Sequence, residues 1–200
     1  MPQTMKRSDN FNQLISVMSS VEHLSDDCLD SVFTLARVKE YAQHSYFARE
    51  GDHPMDLAFV CQGTFRAFYR TEAGEEYNKT FFTENTFMLA LTAMITGQEN
   101  VINIQALENS TVLLFDYQKF TGLYDSYPKL ERLARKVVEF EWAKKEIREI
   151  RLVMNDAAER YEFFRQEHPG LENKIPHYHI ASYLGISPIH LSRIRAKITK

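Results

Sequence analysis

Cysteine is scarce in this chain. Only Cys28 and Cys61 occur in 200 residues. Two separated cysteines make no disulfide framework, and alone they cannot ligate an iron–sulfur cluster or a structural zinc. They read as small buried side chains. Long apolar runs are also missing. The most apolar stretch, about Phe87 to Ile95, falls far short of the ~20 residues that span a bilayer. Met1 to Asn10 is polar and no apolar signal core follows it, so a cytoplasmic protein with no membrane association is expected. There is no internal repeat and no low-complexity tract. No Ser/His/Asp or Cys/His arrangement has a supporting motif, and Gly51, Gly63 and Gly74 do not form a phosphate loop. His177 and His179 fall about 200° apart on a helical wheel and do not converge on a metal. A cupin-type metalloenzyme would need a His-x-His pair in its strands, and His44 and His53 lack that partner and a spaced Glu. No enzymatic activity, metal or cofactor is expected.

What is present is an ordinary globular composition, with 44% hydrophobic and 26% charged residues. That suffices for one sizeable core or two small ones, and argues against disorder. The net charge of −3 is unevenly spread. Residues 171–200 hold Lys174, Arg193, Arg195, Lys197 and Lys200 against Glu172 alone. A basic terminal segment on an acidic body suggests that this end meets a polyanion.

Three patterns follow one another along the chain. Residues 11–40 read as helical, with Leu14, Ile15, Val17, Met18 and Val21 at helical spacing, and Ser25-Asp26-Asp27 as an N-cap before Cys28 to Leu35. From Val38 to about Phe115, β-branched and aromatic residues alternate with polar ones in short runs. Turn signals at Gly51-Asp52, Gln62-Gly63, Ala73-Gly74 and Thr96-Gly97 separate those runs. Many short strands with regular turns indicate a sandwich, barrel or jelly-roll-like β domain. After Pro128 a helical pattern runs to about Glu167. Leu130, Leu133, Val137, Phe140, Ala143, Ile147, Ile150 and Met154 recur in steps of three and four along a charged helix, close to a heptad seam. The stripe can pack on the β domain or pair with a second copy. It looks too wide for one partner, and a dimer seam at Val137, Phe140, Ile147 and Ile150 is expected.

His168-Pro169-Gly170 closes the helix that follows the long one, which runs to Met154. Residues 175–197 then read as two helices joined by a tight turn. Pro176 suits the first turn, Ile180 and Leu184 form an apolar face, and Ala181 allows close crossing. Gly185 supplies a left-handed residue and Ile186 plugs the corner. Ser187 and Pro188 begin the second helix. Leu191, Ile194 and Ile198 make its buried face. Ile189, His190, Arg193 and Lys197 lie outside, with Ser192 and Arg195 at the edges. An exposed helical face of this chemistry suits the DNA major groove. Ser187, Ile189, His190, Ser192, Arg193, Arg195 and Lys197 are the candidate DNA-contacting residues, with Lys200 expected on a phosphate.

From Ile175 to Arg195 the chain resembles the helix-turn-helix of the Crp/Fnr superfamily, the cyclic-AMP receptor protein and its relatives. Ile-Ala-Ser-Tyr-Leu-Gly-Ile-Ser is most similar to a branch known from Bacteroidetes-type bacteria. The resemblance covers nearly the whole chain. Gly51-Asp52, Phe59-Val60-Cys61-Gln62-Gly63 and Gly74-Glu75 follow the β-roll turn pattern. Phe115 to Phe120, Leu123-Tyr124 and Pro128 follow the entry to the long dimer helix. Cyclic-nucleotide binders of this family carry a cassette in which a Glu takes the ribose hydroxyl and an Arg pairs with the cyclic phosphate. Aligned without gaps, this chain has Leu89-Ala90-Leu91 and Asn100-Val101-Ile102 there, so Ala90 replaces the Glu and Asn100 the Arg. The iron–sulfur relatives need an N-terminal cysteine set that is absent. Pro188-Ile189-His190 also replaces the more usual Glu-containing start of the recognition helix.

The fold expected is α+β. A cyclic nucleotide-binding-like β-roll sensor spans 1–127, a long dimerisation helix 128–154 and a helix-turn-helix domain 155–200. The resemblance implies a homodimeric transcription regulator on a palindromic double-stranded operator, not responsive to cyclic AMP. Any small-molecule effector would meet Met88, Leu89, Ala90, Asn100, Val101 and Trp142. Two other classes remain open. A cupin-like β-roll small-molecule binder or enzyme would show convergent His, Glu or Cys side chains. A protein–protein module with a vestigial helix-turn-helix would lack the basic face of Arg193, Arg195 and Lys197.

Overall fold

Leu57, Phe59 and Cys61 alternate with Ala58 and Val60, and all five are buried. A strand buried on both faces has a covering layer on each side, and that explains the architecture of the N-terminal two-thirds. The computed structural model describes the backbone of residues 2–198 and the side chains of 9–198. The elements run α1 (Pro2–Val21), α2 (Asp26–Leu35), β1 (Arg37–Tyr41), β2 (Tyr46–Ala48), β3 (Asp56–Gln62), β4 (Phe65–Arg70), β5 (Glu76–Phe82), β6 (Phe87–Met88), α3 (Leu91–Thr96), β7 (Asn103–Ala106), β8 (Ser110–Asp116), α4 (Tyr117–Thr121), α5 (Pro128–Met154), α6 (Ala157–Glu167), a 3-10 turn (Leu171–Asn173), α7 (His177–Leu184) and α8 (Pro188–Ile198). Two four-stranded sheets form, ordered β1-β8-β3-β6 and β2-β7-β4-β5. The central pair, β3 and β8, is antiparallel, with Leu57 opposite Phe115 and Phe59 opposite Leu113.

The two faces of β3 and β8 feed two cores. Leu57, Phe59, Leu113 and Phe115 meet Leu14, Met18, Val32, Phe120, Leu130 and Leu133 from the helices. Ala58, Val60, Val112 and Leu114 turn into the roll, against Phe65, Ala67, Met88 and Ile104. Gly63 has φ +99°, and an added Cβ would come within 2.9 Å of the Ser110 backbone, so only glycine fits this close approach.

The chain groups into two compact units. One comprises residues 1–67 and 81–140, and the other 68–80 and 141–200. The start of α5 groups with the roll, while the β4–β5 turn groups with the C-terminal helices. One expectation for secondary structure is corrected. Helix does not extend through residue 40, since β1 begins at Arg37 and pairs with β8 from Arg37 opposite Leu114 to Tyr41 opposite Ser110. The long helix ends at Met154 and a second one follows, as expected. Asp156 caps α6 by accepting from the amides of Ala158 and Glu159, at 2.8 and 2.9 Å, and Glu159 bonds back to the Asp156 amide, a capping box that starts a new helix.

Candidate nucleic-acid interface

The C-terminal unit is built around ring stacking and a two-helix corner. Tyr161 and Phe164 stack at 6.5 Å between centroids, and Phe164 meets Tyr183 at 5.7 Å. Ile180, Ala181, Leu184, Leu191 and Ile194 are buried beside them. The turn between α7 and α8 works as its residues dictate. Gly185 has φ +69°, its amide reaches the Ser182 carbonyl at 3.2 Å, and the Ile186 amide reaches that of Ala181 at 3.0 Å. The Ser187 hydroxyl accepts from the His190 amide at 3.2 Å and caps α8, with Pro188 as its first residue.

Helix α8 is thereby held with one side buried and one side free. At ~100° per residue, His190, Arg193 and Lys197 fall on one stripe, and all three are exposed. They line a shallow open groove with Ile194 and Ala196. Ile189 is 68% exposed, and Ser187 and Ser192 are exposed too. The structure thus brings six of the seven candidate DNA residues to the outer surface of α8 and its cap. Ile198, expected in the buried face, is exposed instead, because it lies beyond the last turn that α6 and α7 cover. Lys200 lies outside the described residues.

Arg195 is the seventh, and it is placed differently from the other six. It is half-buried and turned back into the domain. Its Nε donates to the Tyr161 hydroxyl at 3.2 Å, and its Nη1 to His177 Nδ1 at 2.7 Å. His177 Nε2 contacts the Glu172 carbonyl at 3.1 Å. The Tyr161 hydroxyl donates to the Glu172 carboxylate, which also takes Arg165 Nε at 3.2 Å. Burial and the Glu172 hydrogen bond raise the Tyr161 pKa, with Arg195 opposing. Glu172 is held below the usual carboxylate range, because Tyr161 and Arg165 outweigh its burial.

Sequence reasoning missed a second polar node. Asn78, on β5, is buried. Its amide donates to Ser182 Oγ at 2.9 Å and its Nδ2 to the His179 carbonyl at 3.0 Å, while Ser182 Oγ donates to the Glu76 carbonyl at 2.8 Å. Arg148 donates to the Tyr183 carbonyl at 2.8 Å and to that of Asn78 at 3.3 Å, stacking on the Tyr183 ring at 4.4 Å. Partners some hundred residues apart leave no local signal.

The effector residues do not share one environment. Met88 and Ala90 pack into the interior of the roll, and Leu89 packs on the helix-covered side. Asn100 is spent on backbone groups of its own turn and of the Arg49 loop. Its Nδ2 donates to the carbonyls of Arg49 and Ile102 at 2.7 and 2.6 Å, and its Oδ1 accepts from the Ile102 amide at 3.2 Å. Val101 is exposed, and Trp142 is 64% exposed with Lys145 Nζ 5.1 Å over its ring. Among the expected seam residues, Val137 is half-buried against the roll's helix-covered core, while Phe140, Ile147 and Ile150 are exposed. His177 is exposed and His179 buried, so they do not converge. Among the described residues no group of three or more His, Cys, Asp or Glu could hold a metal, and no helix is long and apolar enough to cross a membrane.

Residues 38–127 match the family model of the cyclic nucleotide-binding domain. No curated protein matches the chain significantly in sequence. Among solved structures, FixK2 from Bradyrhizobium japonicum is 15% identical, covering 82% of this chain and 84% of that one, with a TM-score of 0.71. A mutant of CooA from Carboxydothermus hydrogenoformans is 21% identical, covering 93% and 84%, with a TM-score of 0.69. CLP from Xanthomonas campestris, described as a c-di-GMP responsive global regulator, is 14% identical, covering 88% and 92%, with a TM-score of 0.66. The likeness is one of fold: a β-roll of cyclic nucleotide-binding type followed by a long helix.

Proposed function

We propose that this chain is a Crp/Fnr-type transcription regulator that binds a palindromic operator as a homodimer. The observation that carries the reading is the exposed stripe of His190, Arg193 and Lys197 on α8, on a helix whose opposite side is fixed by Leu191 and Ile194. Arg193 has the fork that takes both major-groove acceptors of guanine, and Ile189 is suited to a thymine methyl. Lys197, toward the helix end, is placed for a phosphate. The motif Ile-Ala-Ser-Tyr-Leu-Gly-Ile-Ser at 180–187 favours the Bacteroidetes-type branch.

The dimer is proposed through the second half of α5. Leu130 and Leu133 at its start are buried within the roll unit, whereas Phe140 is 63% and Ile150 54% exposed. The stripe therefore serves two partners in turn, the chain's own roll and then a second copy. Its flanks favour a parallel arrangement. With Phe140, Ala143, Ile147, Ile150 and Met154 at the seam, Glu139 and Glu146 precede it, and Lys144 and Arg151 follow it. In parallel register each Glu139 faces the other copy's Lys144, and each Glu146 the other copy's Arg151. Antiparallel pairing sets like charges together. The chain is proposed not to respond to cyclic AMP, since Ala90 and Asn100 offer neither a carboxylate nor a guanidinium.

The test is selection from random duplexes, repeated with Arg193→Ala. Wild type should enrich a palindrome, and the variant should lose about 1–3 kcal/mol and relax specificity at one base pair per half-site. An unchanged site with Arg193→Ala would remove that residue from base reading.

A further inference from the structure

Four residues from four separate elements, α6, the 3-10 turn, α7 and α8, close into a ring on the inner side of α8. The Glu172 carboxylate accepts from the Tyr161 hydroxyl, which in turn accepts from Arg195 Nε at 3.2 Å. Arg195 Nη1 meets His177 Nδ1 at 2.7 Å, and His177 Nε2 meets the Glu172 carbonyl at 3.1 Å. The roles around this ring are fixed by chemistry. A guanidinium only donates, so His177 Nδ1 must accept. The imidazole proton then sits on Nε2 and is donated to the carbonyl. Every member has its partner, and Arg165 braces Glu172 from outside at 3.2 Å.

Arg195 is the only member contributed by α8. It lies about 200° around the helix from both Arg193 and Lys197, so it is anchored on the side away from the stripe. Leu191 and Ile194 fix the depth of α8 against the domain, but apolar contacts tolerate rotation. A planar fork with two directed hydrogen bonds does not. We infer that Arg195 is a positioning residue that sets the rotation of α8 about its axis, so that the specificity of Arg193 depends on a guanidinium that never touches DNA. This rests on the reading of α8 as a recognition helix.

The experiment measures affinity against salt for the duplex that wild type selects, and for the same duplex with one changed base pair in each half-site. Arg195→Ala should bind the selected duplex about tenfold more weakly and discriminate less against the changed one, with the slope of affinity against salt unaltered. Arg195→Lys should behave like Arg195→Ala, because a lysine keeps the charge but not the fork. Tyr161→Phe should reduce discrimination in the same way, and adding it to Arg195→Ala should bring no further loss. A phosphate contact would give the opposite pattern: Arg195→Ala would flatten the salt slope by about one ion per half-site, and Arg195→Lys would restore affinity. That pattern overturns the inference while leaving the DNA-binding reading intact. Failure of wild type to enrich any duplex overturns both. If Arg195→Ala does not fold, Arg195→Lys and Tyr161→Phe decide the question.

Discussion

His168 ends α6 with its ring 5.2 Å from that of Phe164 and 6.1 Å from that of Tyr183. Burial lowers its pKa, with Glu167 and Glu141 opposing and Lys144 assisting. Because the folded value lies below the ordinary ~6.5, the unfolded chain takes up the proton first. The stability contributed by neutral His168 is therefore complete above about pH 6.5, and it is lost as the pH falls through the window below. Urea midpoints should drop between pH 7 and pH 5, and His168→Phe, which keeps a neutral ring, should shrink that drop. An identical pH dependence in the variant would mean that other groups carry it. At this scale the sequence was informative where the partner was local. Ser187 as a cap and Gly185 as a left-handed residue were both legible. Arg195 was not, because Tyr161, which turns it inward, lies 34 residues away, and a helical wheel carries no such information.

Elements were legible where burial followed their own period. The first turns of α5, with Leu130 and Leu133 buried, and the glycine turns at Gly51, Gly63, Gly74 and Gly97 appear where the pattern puts them, whereas β3 and β8 are buried on both faces and show no alternation. The turns at His44 and Asn85 reach φ +69° without glycine and gave no signal. The end of α5 at Met154 was legible from its stripe, and the capping box Asp156-x-x-Glu159 starts α6 beyond it. Asp156→Ala should cost about 1 kcal/mol, read from a denaturant midpoint with unchanged slope; no change would mean that packing alone starts α6. In the proposed dimer the second half of α5 carries the assembly. Burying Phe140, Ile147 and Ile150 is worth roughly 1.5–3 kcal/mol each, and Phe140→Asp would place a charge in the seam. Sedimentation should find a wild-type dimer at micromolar concentration and a monomeric Phe140→Asp. A wild-type monomer would contradict the seam.

For the whole molecule, the proposed regulator joins a roll with Ala90 and Asn100 in place of the anion-binding pair to an α8 surface with an exposed basic stripe. Each missing charge-assisted bond to a cyclic nucleotide removes about 1.5–3 kcal/mol, tenfold or more in affinity. Calorimetry should accordingly detect no tight cyclic-AMP binding, and a low-micromolar constant would refute this. The central claim is that two copies present paired recognition helices to one DNA site. In such a dimer the helices sit about one helical turn, ~34 Å, apart, and the distance between half-sites is fixed by the protein. Fluorescence anisotropy on the selected duplex, with about 5 base pairs inserted between its half-sites, tests this most directly. The insertion turns one half-site to the opposite side of the duplex. The account predicts tight binding at the selected spacing and its loss on insertion. Equal affinity for both duplexes would contradict it.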